Sequence, residues 1–276
     1  MLKTRLLTVL VAVVLFAPLA AWASPLVLTL VFGLISGLIL WEWLGLLAVS
    51  PAVRWLGLSA WAGLAVGVLL DPWLLQTTWV MGLLGWVALV WLLAIPVALY
   101  RVKTPTGLVA AITSLWLMLG AWLSIWWALE ESLGFLVSIF ALTWIADTAA
   151  YFGGRAFGRH KLAPQISPGK TREGAVAAVL ANLLFLWLGA NWWPGSVVQL
   201  VWQALGPWLA SGAVLLLTLV SVMGDLHQSL LKRQAGVKDS GHLLPGHGGF
   251  FDRFDALVAV TPVSVLLVMV ISHQVH

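Results

Sequence analysis

Residues Leu26 to Val49 read LVLTLVFGLISGLILWEWLGLLAV, a run of 24 residues whose only charge is Glu42. At about 1.5 Å rise per residue a helix of that length exceeds the roughly 30 Å hydrocarbon core of a bilayer. Working outward, eight further apolar runs follow the same rule: about Leu6–Ala21, Trp55–Leu70, Trp79–Tyr100, Leu108–Leu129, Leu133–Ala150, Gly174–Leu188, Leu209–Gly224 and Ala256–Ile271. The 276 residues are 62% hydrophobic and 9% charged, against roughly 25% charged in a soluble domain. Too little ionic surface is left to cover a water-soluble globule of this size. Lipid-facing backbone must satisfy itself, so helices are the spanning form and a barrel is excluded. The expectation is an all-α polytopic membrane protein of about nine transmembrane helices in a single integral membrane domain, residues 1–276, with N-terminal spans over 1–140 and a second half over 141–276 that carries the longer polar connections. The chain has no cysteine, which removes disulfides, thiolate metal sites and a thiol nucleophile.

Charge gives the orientation. If Lys3 and Arg5 stay inside, alternate crossings place Arg54, then Arg101 and Lys103, then residues 151–173, then 225–255 on one side, so all 14 Lys and Arg face the cytoplasm. The opposite connections hold Asp71, Glu130, Glu131 and the Trp192-Trp193-Pro194 turn, with no basic residue. This is the positive-inside pattern. The first run also reads as a signal peptide, with Ala21-Trp22-Ala23 as its cleavage site. Cleavage would leave eight spans and the same orientation. Many of the 19 Trp lie near span ends, as interfacial anchors do.

Segments 147–173 and 225–255 hold 15 of the 24 charges and four of the six histidines. Orientation needs only Lys and Arg, so mixed acids, bases, His and Gly at the inner boundary mark a site, as opposed to a topogenic loop such as that of Arg54 or Lys103. If the eighth helix continues past Gly224, Asp225, Ser229 and Lys232 fall at i, i+4 and i+7 on one face, an inventory for a cation beside a phosphate. The Gly-rich stretch Lys238 to Gly249 follows, and glycines let backbone N–H groups approach an anion. Asp252 and Asp255 share the first turn of the last helix, where carboxylates ligate Mg²⁺ together with water and phosphate oxygens. Capping and the helix dipole are the structural alternative for that pair. His242 and His247 lie five apart without HExxH spacing, which disfavours zinc. Gly169-Lys170-Thr171 lacks the glycine of a nucleotide-binding P-loop, Pro164 standing at that place, and no strand is expected before it. What remains is a Gly, Lys and Thr group opening the seventh helix, whose N-terminus suits phosphate.

Ser229 to Asp255, written S-x-L-K-R-x4-K-D-x-G-x2-L-P-x-H-G-G-F-x-D-R-F-D, resembles the signature of phosphatidate cytidylyltransferases, also called CDP-diacylglycerol synthases. Residues 147–174, with A-Y-F-G-G-R and S-P-G-K-T-x-E-G, resemble that family's second characteristic stretch. Arg172 stands where Trp is common and Ala256 where Ser usually follows the last Asp. The likeness implies the reaction CTP + phosphatidate → CDP-diacylglycerol + pyrophosphate with Mg²⁺, a second cation being possible. It implies metal ligation by Asp225, Asp252 and Asp255, assisted by Ser229, with Asp147 a fourth candidate acid. Phosphate contacts fall to Lys232, Arg233, Lys238 and Arg253, with Lys170 and Thr171 from the other loop and backbone donors from His247, Gly248 and Gly249. The implied partners are CTP, phosphatidate with the surrounding membrane lipid, and a second copy in a homodimer. No nucleic acid is expected, and the short N-terminus and compact length favour a bacterial inner membrane. A transporter would place ionisable residues near the midplane or in repeats, and neither is seen apart from Glu42. Another lipid-phosphate transferase or kinase is the nearer rival.

Overall fold

The computed structural model describes residues 18–19, 21–71, 78–244, 246 and 248–273. Among them eight helices are long and apolar enough to cross a membrane, as expected of an integral membrane protein. They are α1 (Pro25–Leu46), α2 (Pro51–Leu70), α3 (Thr78–Arg101), α4 (Gly107–Glu131), α5 (Leu133–Phe157), α6 (Arg172–Trp192), α7 (Val197–Gln234) and α8 (Phe251–His273). Each coincides with one apolar run; the first run, about Leu6–Ala21, falls almost wholly outside the described residues, as do Lys3 and Arg5.

Local chemistry sets the helix starts. Ser24 and Ser50 precede Pro25 and Pro51, and each Ser hydroxyl accepts a backbone N–H of the first turn while Pro sits where no intrahelical donor is needed. Ser132 and Ser196 cap α5 and α7 in the same way. Inside α3, Pro96 has no N–H to give, and the preceding turn, Val90–Ala94, widens into a π-helix. Gly206, at φ +71°, and Pro207 break α7, so its spanning part begins near Trp208 and runs unbroken to Gln234, past the end of the apolar run at Gly224.

Helix α8 is the central element, packed on α7, α4, α3, α5 and α1, and its middle from Ala256 to Val265 is almost entirely buried. Helices α5, α6 and α7 pack together on one flank, while α1 lies against α4 on the other. Helix α2 is peripheral, tied to α1 by the Arg54 guanidinium, which lies 3.9 Å over the Trp41 ring and donates to the Trp41 carbonyl at 2.9 Å. Arg54 thus has a packing role besides the topogenic one read from sequence.

Among the described residues, the one pair of strands is an antiparallel hairpin, β1 (Lys161–Ala163) and β2 (Ser167–Thr171), between α5 and α6. It corrects the expectation that no strand lies here. Gly169-Lys170-Thr171 is itself the end of β2, not a loop that follows a strand. Successive helices return the chain to one end of the bundle at residues 47–50, 102–106, 158–171 and 235–250, and every described Lys and Arg lies at that end. Cross-links hold the end together: Thr104 donates from its backbone and its hydroxyl to Gln234 Oε1 at 2.9 and 2.5 Å, and Arg233 Nε donates to the Ile166 carbonyl at 3.3 Å.

Candidate active site

At the charged end, a cavity of about 450 Å³ opens between α5, the hairpin, the start of α6 and α7. Its wall carries Asp147 and Arg155 from α5, Lys170 and Thr171 from β2, and Asp225 from α7. The continuation of α7 as a helix is what aims Asp225 here, with the Ser229 hydroxyl one turn on donating to Asp225 Oδ1 at 3.3 Å. Lys170 Nζ lies 2.5 Å from Asp225 Oδ2. Asp255, on the second turn of α8, is an electrostatic neighbour of Asp225, Asp147 and Lys170. Its own hydrogen bond comes from the adjacent Ala256 N–H at 2.8 Å. Gly224 makes the proximity possible: a Cβ there would meet the Asp255 carbonyl at 2.7 Å and Ala256 Cα at 3.0 Å, so α7 and α8 touch backbone to backbone beside their acids.

Asp252 belongs to a separate arrangement. Its Oδ1 accepts from Lys232 Nζ at 2.7 Å and Gln228 Nε2 at 2.9 Å, and its Oδ2 accepts from Ser240 N at 2.8 Å, Ser240 Oγ at 3.0 Å and Gly249 N at 3.0 Å. A carboxylate offers about four lone-pair sites, and five donors already contend for them. Residues three apart on a helix point about 60° apart at 3.6 residues per turn, which sends Asp252 to the loop and Asp255 to α7. The four acids singled out in the sequence therefore divide: Asp147, Asp225 and Asp255 gather around Lys170, and Asp252 does not join them.

Other expected positions also find protein partners. Lys232 is engaged by Asp252. Thr171 caps α6, its Oγ1 accepting the Gly174 N–H at 3.1 Å. The Gly249 N–H, expected to serve as an anion donor, is spent on Asp252, and Gly248, at φ +82°, closes a bridge to Leu244. Arg233 binds the hairpin through Ile166, which packs with Leu226 and Leu230 in a small apolar cluster. Lys238 and Arg253 are exposed at the charged end of the bundle. His247 lies outside the described residues. The sequence reading missed Gln228 and Ser240, two further holders of Asp252, and left Glu42 without a role. For Glu42 the signal was present, a lone acid in an apolar run.

Hard oxygen donors around a group of three carboxylates and one ammonium suit Mg²⁺. Among the described residues no three acidic or imidazole side chains already converge on a common ligand point. Mutual repulsion keeps such groups apart unless positive charge lies between them, and here Lys170 supplies part of it. Mg²⁺ commonly takes one or two carboxylates, with water and substrate phosphate completing the shell, so the donor set fits it.

A model of the cytidylyltransferase family matches residues 3–271. The chain is similar to the phosphatidate cytidylyltransferase of Haemophilus influenzae, 42% identical over 130 residues covering 46% of this chain and 43% of the relative. It is 47% identical to that of Brucella suis over 132 residues, 47% of this chain and 46% of the relative. For that of Staphylococcus aureus the identity is 39% over 140 residues, 51% of each. The matched stretch thus spans about half the length of these relatives.

Proposed function

The chain belongs to the cytidylyltransferase family, and from that premise we propose that it is a nucleotidyltransferase acting on CTP and phosphatidate, giving CDP-diacylglycerol and pyrophosphate. The observation that carries the reading is the gathering of Asp147, Asp225 and Lys170 on one cavity at the basic end of a membrane bundle, with Asp255 buried behind them as their electrostatic neighbour. There a water-borne polyanion and a lipid head group can meet. We assign that end to the cytoplasm, because the opposite connections carry no Lys or Arg.

In the reaction a phosphate oxygen of the lipid attacks the α-phosphorus of CTP, the bond from that phosphorus to the β-bridging oxygen breaks, and pyrophosphate departs with the electron pair. A phosphomonoester has a second pKa near 6, so the nucleophile is already anionic at neutral pH and no side chain need remove a proton. The obstacle is repulsion between two polyanions, and catalysis is alignment plus charge stabilisation. Lys170 and Arg155 face the cavity and take phosphate oxygens, Lys170 being held in place by Asp225. Lys238 and Arg253, exposed at the same end of the bundle, raise the local concentration of CTP. Asp225 and Asp255, with Asp147 and the Ser229 hydroxyl, are the residues that would hold Mg²⁺. When bound, Mg²⁺ screens the triphosphate and favours charge moving onto the leaving group. Asp252 would have to surrender Lys232 or a loop N–H to take part, so we assign it to holding the loop.

The experiment is transfer of label from α-³²P-CTP in detergent micelles. Mg²⁺-dependent label in a chloroform-extractable product, formed only with phosphatidate, is the expected result. Label that appears only with another nucleotide or another acceptor overturns the reading. The homodimer implied by the resemblance is read from the mass of the detergent-solubilised particle.

A further inference from the structure

Helix α8 takes the acceptor for its first N–H groups from another helix. Phe250 precedes it and has no side-chain oxygen, so the first N–H groups of the helix need an acceptor from elsewhere. Glu42 of α1, 4% exposed, provides it: Oε2 accepts the Phe251 N–H at 2.9 Å and Oε1 the Phe250 N–H at 3.2 Å. The same carboxylate accepts the Ser240 hydroxyl at 2.9 Å, and that hydroxyl also lies 3.0 Å from Asp252 Oδ2. Two carboxylates from different helices thus close on one loop residue. Gly249 sits in the narrow space between them, where a Cβ would collide with Glu42 Oε2 and Ser240 Oγ. The neighbouring residue on α1 reinforces the hold, since Trp43 stacks on Phe251 with centroids 4.8 Å apart and planes at 19°.

We propose that Glu42 is a positioning residue for the transfer reaction: by capping α8 across more than 200 residues of sequence it fixes the turn that presents Asp252 to the loop and Asp255 to Asp225. This rests on the reading given under Proposed function. The physical reason is leverage. Asp255 is four residues beyond Phe251, one helical turn, so rotation or retreat of the first turn moves its carboxylate directly. A displacement of about 1 Å in a reacting constellation costs about 100-fold in rate. A negative charge at a helix N-terminus also complements the dipole, which a neutral amide does far less well. The N-terminal spans are therefore part of the active-site scaffold, although the signature residues all lie in the second half of the chain.

The test compares Glu42→Gln, Glu42→Ala and Glu42→Asp with the unsubstituted protein in micelles. Two readouts are needed: steady-state transfer from CTP to phosphatidate, and the rate of tryptic cleavage after Lys238 in the loop. The expected result for Gln and Ala is a kcat at least tenfold lower, KM for CTP within about threefold, and loop cleavage at least fivefold faster, all in monodisperse protein. Asp, one methylene shorter, recovers part of kcat and of the protection. Loss of activity only in proportion to aggregated protein, or wild-type kcat and cleavage in Glu42→Ala, overturns the proposal. If the unsubstituted protein transfers nothing from CTP to phosphatidate, the functional reading fails instead. The cleavage arm still decides whether Glu42 holds the loop.

Discussion

Asp252 and Asp255 are three residues apart on one helix, yet their asparagine variants should move stability in opposite directions while both lose turnover. At Asp252 the amide keeps one acceptor oxygen. Whichever way it turns, its NH₂ faces donors: Lys232 and Gln228 on one side, or the Ser240 N–H, Ser240 hydroxyl and Gly249 N–H on the other. Removing one partner of a buried ion pair costs about 3–5 kcal/mol. The Lys232 and Asp252 side chains are 17% and 8% exposed, so the lower end, about 3 kcal/mol, applies. At Asp255 the amide oxygen still accepts the Ala256 N–H, and a buried acid beside Asp225 and Asp147 gives way to a neutral group of the same shape. Any attraction to Lys170 is lost with it, so the net effect is small or slightly favourable. With a few degrees per kcal/mol for a chain of this size, Asp252→Asn lowers the apparent Tm by at least about 5 °C, and Asp255→Asn leaves it level or raises it slightly. Intrinsic fluorescence of the 19 Trp during a thermal ramp reads both, and transfer of labelled CMP reads activity. Equal destabilisation by the two variants, or an Asp252→Asn protein with unchanged Tm, would refute the division of the acids into a holding group and an unsatisfied one.

Gly224→Ala puts a methyl group against the backbone of α8, which cannot rotate away as a side chain can; overpacking of about 1–3 kcal/mol and a fall in kcat exceeding the fall in folded fraction are expected from parallel thermal and kinetic measurements. Lys170→Met, which keeps the chain length and removes the charge, should lower kcat/KM for CTP at least 100-fold, and near-normal kinetics would remove Lys170 from the site. Arg54→Ala should cost about 1 kcal/mol through its lost contact with Trp41, with turnover within about threefold of normal. Lys103→Ala, whose side chain is exposed, should alter neither Tm nor kcat, and a large kinetic loss would mean that the site reaches the α3–α4 connection.

The spans were legible because membrane crossing depends on length and apolarity, both additive along the chain; all eight described helices fall on runs read from sequence. The extension of α7 was legible for a different reason. Asp225, Ser229 and Lys232 repeat at helical spacing beyond the apolar run, and the helix continues through them. Their partners were not legible. Lys232 shares a face with Asp225, but its ammonium reaches across to Asp252 on α8, since the side chain is long and the choice depends on where the second helix lies. The hairpin was hidden by its shortness, with β1 only three residues long and β2 containing Pro168 and Gly169, residues that depress any strand signal. Thr171 at the head of α6 was equally compatible with an anion contact and with a cap, and the structure gives it the cap.

The treatment of Glu42 and Asp252 clarifies why so apolar a chain keeps its acids. Between them these two carboxylates are served by seven donor groups of Gln228, Lys232, Ser240, Gly249, Phe250 and Phe251, the Ser240 hydroxyl lying within reach of both, nearly all of them where a loop meets the start of α8. An acid so well supplied with donors lowers the free energy of the fold, and its position is explained without any ligand. Among the described residues, Asp147, Asp225 and Asp255 lack such a supply: one lysine, one hydroxyl and one adjacent N–H serve the three of them. Left alone, that group destabilises the folded state, and a binding partner of positive charge is the natural remedy. Satisfied and unsatisfied acids therefore mark scaffold and site respectively. The boundary between them runs through one turn of α8, which is why the seating of that turn by a residue from α1 bears on chemistry at the far side of the helix.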